Sequence, residues 1–198
     1  MILNDIASIR TGLVTARKKA SDYENNVIEY KLINLKCIAE AGYLDLLNTE
    51  PYYSVERLKA DYLTRMGDIL IRLSAPYTSV MITSEEWCNY LVPSHFTIIR
   101  VDKRKAAPEY VFWFLKRDTT RQKIMQNSSG SSAFGTISSG FFTNLKIRDI
   151  PLQKQKIVGE LLMLSEKEQE LLYSLAAEKA KYNKFLVNQI YDTFKRGN

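Results

Sequence analysis

The stretch from Leu152 to Arg196 reads LQKQKIVGELLMLSEKEQELLYSLAAEKAKYNKFLVNQIYDTFKR and contains no proline and a single glycine, Gly159. Its apolar residues recur at alternating spacings of three and four, the period of a helix that is apolar on one side. Pro151 precedes the stretch and Gly197 follows it, as is common at the two ends of a helix. The sequence therefore predicts one continuous helix of roughly 60 Å, at about 1.5 Å per residue.

The apolar positions of this helix form two adjacent seams, which together are wider than a two-stranded coiled coil requires. The residues before it would make a globule with a radius of gyration of about 13–15 Å, too small to cover the helix. We therefore expect the helix to project and to bind a partner, although a helix folded back on its own domain is the alternative. The residues expected at this interface are Ile157, Leu161, Leu164, Leu171, Leu175, Tyr182, Phe185, Leu186 and Ile190.

Composition limits the class of protein. The chain has 198 residues and a net charge of +6, and it has neither a run of about 18 apolar residues nor a secretory signal. Cys37 and Cys88 lack metal-ligand spacing, and the single histidine, His95, lies in an apolar run that predicts a packed side chain. We expect a cytoplasmic protein with reduced, buried thiols, no membrane span, no metal and no cofactor.

Basic residues are concentrated in two segments. Residues 100–123 hold eight basic side chains and three acids, and residues 10–19 hold four basic side chains and no acid. Such a local excess favours a polyanion partner, most simply nucleic acid. A basic surface that is merely solvated is the alternative.

The first 150 residues predict one globular domain. Strands are expected at residues 28–33, 69–73, 80–82, 90–93 and 95–101, with the second and third forming a hairpin. Helices are expected at residues 109–116 and from 118 to about 126, with a loop at 48–53 and a short helix within 54–63. The predicted fold class is α+β: a globular domain with a mixed β-sheet and helices over residues 1–150, then a long helical segment over 151–198.

The segment from Asn127 to Gly140 reads NSSGSSAFGTISSG and is rich in serine and glycine. A flexible linker is one interpretation of such a run. Apolar residues return at once with Phe141 and Phe142, so the segment is more simply a loop within the domain. Its hydroxyls and N–H groups suit phosphate oxygens and base edges, which favours a ligand-facing loop.

Enzymatic chemistry has little support in the sequence. There is no phosphate-binding glycine loop, no pair of metal ligands and no methyltransferase-type cofactor loop. Ser94 and His95 are chain neighbours, which is not the arrangement of a nucleophile and its base. We therefore predict that the chain is not an enzyme.

Several short segments follow one another along the chain: Leu3-Asn4-Asp5-Ile6-Ala7 with Thr11-Gly12, Gly67-Asp68-Ile69-Leu70-Ile71, Pro93-Ser94-His95-Phe96, Pro108-Glu109-Tyr110-Val111, Ser129-Gly130 with Gly135-Thr136-Ile137, and Ile147–Pro151 leading through Gln155-Lys156-Ile157-Val158 into the long helix. Taken in this order, they resemble the DNA-specificity subunit of type I restriction–modification systems. Members of that family usually carry two target-recognition domains and two helical spacers. This chain has room for one of each, so it resembles a half-size form.

The resemblance implies a non-catalytic subunit that reads one half of a split target in double-stranded DNA. Its helix would set the distance between half-sites and dock DNA adenine methyltransferase subunits, and a restriction subunit can join the assembly. A homodimer through the long helix would then read a bipartite palindromic target. The alternative is a helical scaffold whose globular domain binds another protein rather than DNA.

Charge and hydroxyl groups are concentrated in loops that follow predicted strands, and these loops are where we expect DNA contacts. The expected contact residues are Arg17, Lys18, Lys19, Arg72, Ser74, Tyr77, Thr78, Ser128, Ser129, Ser131, Ser132 and Thr136.

Overall fold

The computed structural model describes residues 1–21, 26–38, 44–129 and 135–196. The chain divides into two compact units, Met1–Glu160 and Leu161–Asn198. The domain limits predicted at residue 150 stay a prediction.

A four-stranded antiparallel sheet is the centre of the first unit. Its strands are β1 (Ala7–Thr11), β4 (Ile69–Arg72), β5 (Ser79–Met81) and β6 (Phe96–Val101), in the order β1-β6-β4-β5. A separate antiparallel ribbon pairs β2 (Ile28–Leu32) with β3 (Glu50–Ser54). The predicted α+β class is confirmed, but the sheet is not mixed, because the parallel pairing among the described residues is limited to isolated bridges.

The helices are α1 (Leu3–Ile6), α2 (Pro108–Lys116), α3 (Asp118–Gln126), α4 (Ser139–Thr143) and α5 (Leu152–Arg196). Short 3-10 helices cover Thr15–Arg17, Leu35–Cys37, Leu46–Asn48, Ala60–Tyr62 and Glu85–Trp87. The long helix α5 has the bounds that the sequence predicted.

Both faces of the sheet are covered by apolar side chains. On one face Leu70, Val80 and Ile98 pack in a cluster with Ile33 and Cys37 from the segment after β2. On the other face α2 packs against β5 and β6. Because α2 is buried on most sides, its run of aromatic and branched residues is explained by the core and not by a ligand.

The start of α5 is joined closely to α2. Gln155 is 2% exposed; its Oε1 accepts from the Ala107 N–H at 3.0 Å, and its Nε2 donates to the Ile150 carbonyl at 2.8 Å. Ala107 is the N-cap of α2 and supplies no side-chain cap, so Gln155 satisfies a backbone donor that would otherwise be buried alone. A Cβ on Gly159 would lie 2.4 Å from the Glu109 Cβ. The first two turns of α5 therefore belong to the first unit.

Five further sequence expectations are wrong in whole or in part. Residues 50–54 form β3 instead of a loop, residues 54–63 contain only the 3-10 turn Ala60–Tyr62, and residues 90–93 make isolated bridges at Leu91 and Pro93 instead of a strand. His95, expected to be packed, is exposed; it precedes β6, whose first residue, Phe96, is 0% exposed. Cys37 is buried as expected, whereas Cys88 is only partly buried.

Candidate nucleic-acid interface

One end of the four-stranded sheet collects most of the loops that the sequence marked as polar. β1 and β4 end there and β5 and β6 begin there, because Thr11 pairs with Thr97, Arg72 with Phe96, and Ile71 with Ser79. Three segments therefore leave the sheet at the same end: the basic turn after β1 (Arg17–Lys19), the β4–β5 loop and the residues before β6. We call this surface the loop end.

The β4–β5 loop at this end is joined to the serine-rich segment. Thr136 bridges both Ser74 and Ser129, and the N–H groups of Ser129 and Thr136 each donate to the other's carbonyl, at 2.8 and 2.9 Å. The Ala75 N–H also donates to the Gly135 carbonyl at 3.3 Å. This pairing places Ser74, Thr136 and Ser129 side by side, with Thr136 and Ser129 exposed.

Tyr77 and Gly135 lock the two loops together. Tyr77 has a φ of 54°, a left-handed conformation that is uncommon for a bulky residue, and its hydroxyl donates to the Gly135 carbonyl at 2.8 Å. A Cβ at position 135 would lie 2.7 Å from the Tyr77 Oη and 2.9 Å from the Ser128 Oγ. A side chain at position 135 would therefore displace the Tyr77 and Ser128 hydroxyls from their present positions.

The remaining predicted contact residues of these loops differ in how available they are. The Arg72 Nε donates to the Ser74 Oγ at 3.0 Å, which directs the guanidinium along the loop. The Ser128 Oγ donates to the Met125 carbonyl at 2.7 Å, so that hydroxyl is used to end α3. Thr78 is only 9% exposed and lies inside the domain at the start of β5. Its expected contact with DNA is therefore unsupported. Ser131 and Ser132 lie outside the described residues.

The basic turn is braced against the β2–β3 ribbon. The Ala20 N–H donates to the Tyr53 carbonyl at 2.9 Å, and the Tyr52 hydroxyl donates to the Thr15 carbonyl at 2.7 Å. Arg17 and Lys19 are exposed, whereas Lys18 forms an ion pair with Glu56. Arg17 and Lys19 are thus the stronger candidates for phosphate contacts.

The basic excess of residues 100–123 is partly used inside the domain. The Arg100 Nε and one terminal nitrogen each donate to Asp68 at 2.7 Å, and Asp68 is 0% exposed. Arg104 binds Asp102 with two bonds of 2.9 and 3.0 Å and lowers the pKa of that carboxyl to about 2. Arg100 and Arg104 lie at or beyond the far end of β6, away from Phe96. The net charge of this segment therefore overstates what it offers at the loop end.

An ion-pair network links the edge strand β1 to the buried Arg100–Asp68 pair. The Arg10 guanidinium lies 2.5 Å from Asp61, and it holds the pKa of that carboxyl below its usual range. A terminal nitrogen of Arg100 is 3.8 Å from the same carboxylate. Arg10 is thereby committed to the domain rather than to an external anion.

His95 is a residue of the loop end that sequence reasoning missed. It is exposed, and its carbonyl accepts from the Leu73 N–H at 2.9 Å, beside the β4–β5 loop. Its apolar neighbours concealed this position.

The described residues offer little for catalysis. They contain no group of three His, Cys, Asp or Glu side chains that could hold a metal ion. Burial raises the pKa of the Cys37 thiol, which favours its unreactive neutral form. No helix in the described part of the chain is long and apolar enough to cross a membrane.

The predicted partner-binding residues of α5 are exposed in the single chain. Their exposed fractions run from 54% at Ile190 to 68% at Leu164, and Leu186 alone of the predicted set is partly buried. Other large apolar side chains of α5 share this exposure, namely Leu172, Tyr173, Val187, Tyr191 and Phe194. Such an extent of exposed apolar surface is typical of an interaction site.

Comparison with known protein families identifies the class. The family model described as the type I restriction modification DNA specificity domain matches residues 1–172. The chain belongs to this family, and the resemblance seen in the sequence is confirmed. Among curated proteins, none matches the chain.

Solved structures show the same fold. A structure described as the basis of complex assembly and conformational transition of the type I R-M system matches with a TM-score of 0.65 and 15% identity, covering 94% of this chain and 46% of that one. The HsdS subunit from Thermoanaerobacter tengcongensis matches with a TM-score of 0.61 and 15% identity over the same shares. The S subunit from M. genitalium gives 0.55 and 12%, covering 88% and 40%. This chain spans about half the length of these relatives.

Proposed function

We propose that this chain is a DNA-specificity subunit of a type I restriction–modification complex, carrying one target-recognition domain and one helical spacer. The observation that supports it most is the loop end of the sheet. There Arg72, Ser74, Ser129 and Thr136 are held in one surface by paired loops, in a domain that belongs to a DNA specificity family.

The loop end has two kinds of residue: some position the domain on the DNA backbone, and others read the bases. Exposed Arg17 and Lys19 contact phosphates, which orients the domain on a duplex without reading sequence. The hydroxyls of Ser74, Ser129 and Thr136 are close together and hydrogen-bond to base edges or sugars. Rigid pairing of their backbones lowers the cost of ordering them on binding.

Catalysis belongs to partner subunits in this proposal. A DNA adenine methyltransferase subunit docks on α5 and supplies methyl transfer, and a restriction subunit can join the assembly. The chain itself only selects the site. Detectable methyl transfer to DNA by the highly purified chain alone would refute this division of roles.

The exposed apolar stripe of α5 also forms a homodimer in this proposal. One recognition domain reads one half-site, so two copies are needed for a bipartite palindromic target. A two-fold axis relating the copies would make the two half-sites of that target symmetric as well.

Salt-dependent binding to duplex DNA tests the proposal. Replacing Arg17, Lys18 and Lys19 together with Ala should lower affinity for all sequences and flatten the salt dependence by roughly 0.9 for each phosphate that is no longer neutralised. The control is Lys167, Lys179 and Lys181 to Ala on α5, which removes the same charge from another unit. Equal effects of the two triple variants would remove the basic turn from the interface.

A further inference from the structure

Helix α3 is exposed over most of its surface. Of its nine residues only Thr120 and Ile124 are buried, at 2% exposure each, and the other seven are exposed. At 3.6 residues per turn, successive side chains are separated by about 100°. Gln122 therefore lies directly opposite the buried pair, with Gln126 beside it and Arg121 and Lys123 on the two flanks.

The end of α3 leads straight into the loop end. The Asn127 Nδ2 donates to the Lys123 carbonyl at 2.8 Å, and Ser128 closes the last turn on Met125. The next residue, Ser129, pairs with Thr136, which in turn bridges Ser74. The C-terminal end of α3 is thus followed directly in the chain by residues of the surface proposed to bind DNA.

The side chains on this face have the chemistry of groove recognition. A glutamine amide can both donate to and accept from adenine in the major groove, whereas Arg and Lys neutralise phosphates. A helix of about 10–12 Å diameter fits a groove of about 12 Å. Arg121 and Lys123 outnumber Asp118, the one acid of the helix, which lies on the same outward face about 40° from Gln122. Asp118 stabilises the N-terminal turn and restricts DNA contact to the later turns.

We infer that α3 is a base-reading helix, with Gln122 and Gln126 contacting base edges in the major groove and Arg121 and Lys123 contacting phosphates on either side. This inference rests on the proposed function and assigns part of its sequence selectivity to a helix outside the loops. Asn127 and Ser128 do not read bases, because their side chains are already bonded to the backbone of α3.

Selection from duplexes with a randomised centre, using the full chain, tests this assignment. Gln122→Ala with Gln126→Ala should lose discrimination at one or two base positions by roughly 5-fold to 100-fold each, while non-specific affinity is kept. Arg121→Ala with Lys123→Ala should instead weaken binding to all sequences alike and lower the salt slope by about 2. Gln153→Ala with Gln169→Ala on α5 is the control, and it should preserve the wild-type motif.

A second variant, Gln122→Glu, distinguishes the loss of a base contact from the loss of the fold. Gln122→Glu keeps the size and helix propensity of the side chain but cannot donate a hydrogen bond, so preference should move from adenine towards cytosine, which offers a donor. An unchanged motif in Gln122→Glu and in the double Gln variant, with the wild-type chain still selective, would overturn the role of α3 and leave the proposed function standing. A wild-type chain that selects no motif would reject the proposed function and this inference together.

Discussion

Two acid–arginine pairs with the same bidentate geometry differ at the residue scale in their burial. Asp68 is 0% exposed and also accepts from the Arg65 N–H at 2.8 Å, whereas Arg104, the partner of Asp102, is 89% exposed. When a buried ion pair loses one member, the remaining charge has neither a partner nor water around it. In an exposed ion pair, water takes the place of the lost partner. The same chemistry therefore has a structural role only at Asp68.

Asp68→Asn should lower the free energy of unfolding by roughly 3 kcal/mol, because Arg100 loses its buried carboxylate and keeps only the more distant and more exposed Asp61, at 3.8 Å. Asp102→Asn is the matched control and should have a much smaller effect. The pKa of Asp102 is lowered to about 2, so its contribution is present above about pH 4 and is lost as the pH falls towards 2. Urea denaturation at neutral and acidic pH measures both; equal losses at pH 7 would contradict the argument from burial.

The Tyr77–Gly135 hydrogen bond joins the β4–β5 loop to the serine-rich segment at the residue scale. Gly135→Ala should displace the Tyr77 and Ser128 hydroxyls, because its Cβ would lie less than 3 Å from both oxygens. We expect sequence-specific affinity to fall by at least about tenfold, the value of one good base contact, with non-specific binding unchanged.

Gly140→Ala is the matched control for this change, since its nearest atom is the Ser138 Oγ at 3.4 Å. Tyr77→Phe should show a weaker form of the same effect, as it removes only the hydroxyl. Normal selectivity in Gly135→Ala would show that the two loops need not stay paired.

At the scale of elements, the sequence predicted the helices and strands that are marked by a pattern of neighbouring residues. α5, α2 and α3 follow from helical spacing, and the β4–β5 hairpin follows from two apolar runs around a polar turn. β3 was missed because Glu50-Pro51 is typical of a loop. The proline is tolerated there because β3 belongs to a two-stranded ribbon with an open edge.

Long-range contacts explain what the sequence could not provide about the candidate site. Ser74 and Thr136 were predicted separately as polar loop residues, but their bridge depends on a pairing across more than sixty residues. Arg100 counts as available charge in the sequence, but Asp68, thirty-two positions earlier, binds it. Pattern reasoning finds polar loops and charges, and tertiary packing decides which of them remain at the surface.

The joint between α2 and α5 is an element-scale feature that depends on Gly159. Alanine there would gain about 1 kcal/mol of helix propensity, but its Cβ would lie 2.4 Å from the Glu109 Cβ and 3.0 Å from the Tyr110 nitrogen. Overpacking of this kind costs roughly 1–3 kcal/mol. We therefore expect Gly159→Ala to lower the unfolding free energy despite the better helix former, as measured by chemical denaturation.

A double-mutant cycle isolates the contact. Glu109→Gly removes the opposing Cβ, so the combination with Gly159→Ala should be less destabilised than the sum of the two single changes. Strict additivity would place the effect of Gly159→Ala elsewhere than in this contact.

At the scale of the whole molecule, a second helix would cover the exposed apolar residues of α5. Burying one face against another chain removes much of that surface from water, at roughly 25 cal/mol per Å² of apolar area. A two-fold axis covers both stripes with a single self-complementary patch. Glu168 and Glu178 interrupt the main seam; in a parallel pair each would face its own copy, whereas in an antiparallel pair they can meet Lys or Gln.

We predict an antiparallel homodimer through α5, which would carry one recognition domain at each end and read an interrupted palindrome with half-sites about 10 base pairs apart or somewhat less. Leu171→Asp with Leu175→Asp should give a monomer by light scattering and abolish methylation of a two-part site by the reconstituted complex. Ser174→Asp with Asn188→Asp changes the charge equally on the polar face of the helix, and should leave the dimer intact. A wild-type chain that is monomeric at micromolar concentration counts against the dimer, and so does a Leu double variant that stays dimeric and still supports methylation of both half-sites.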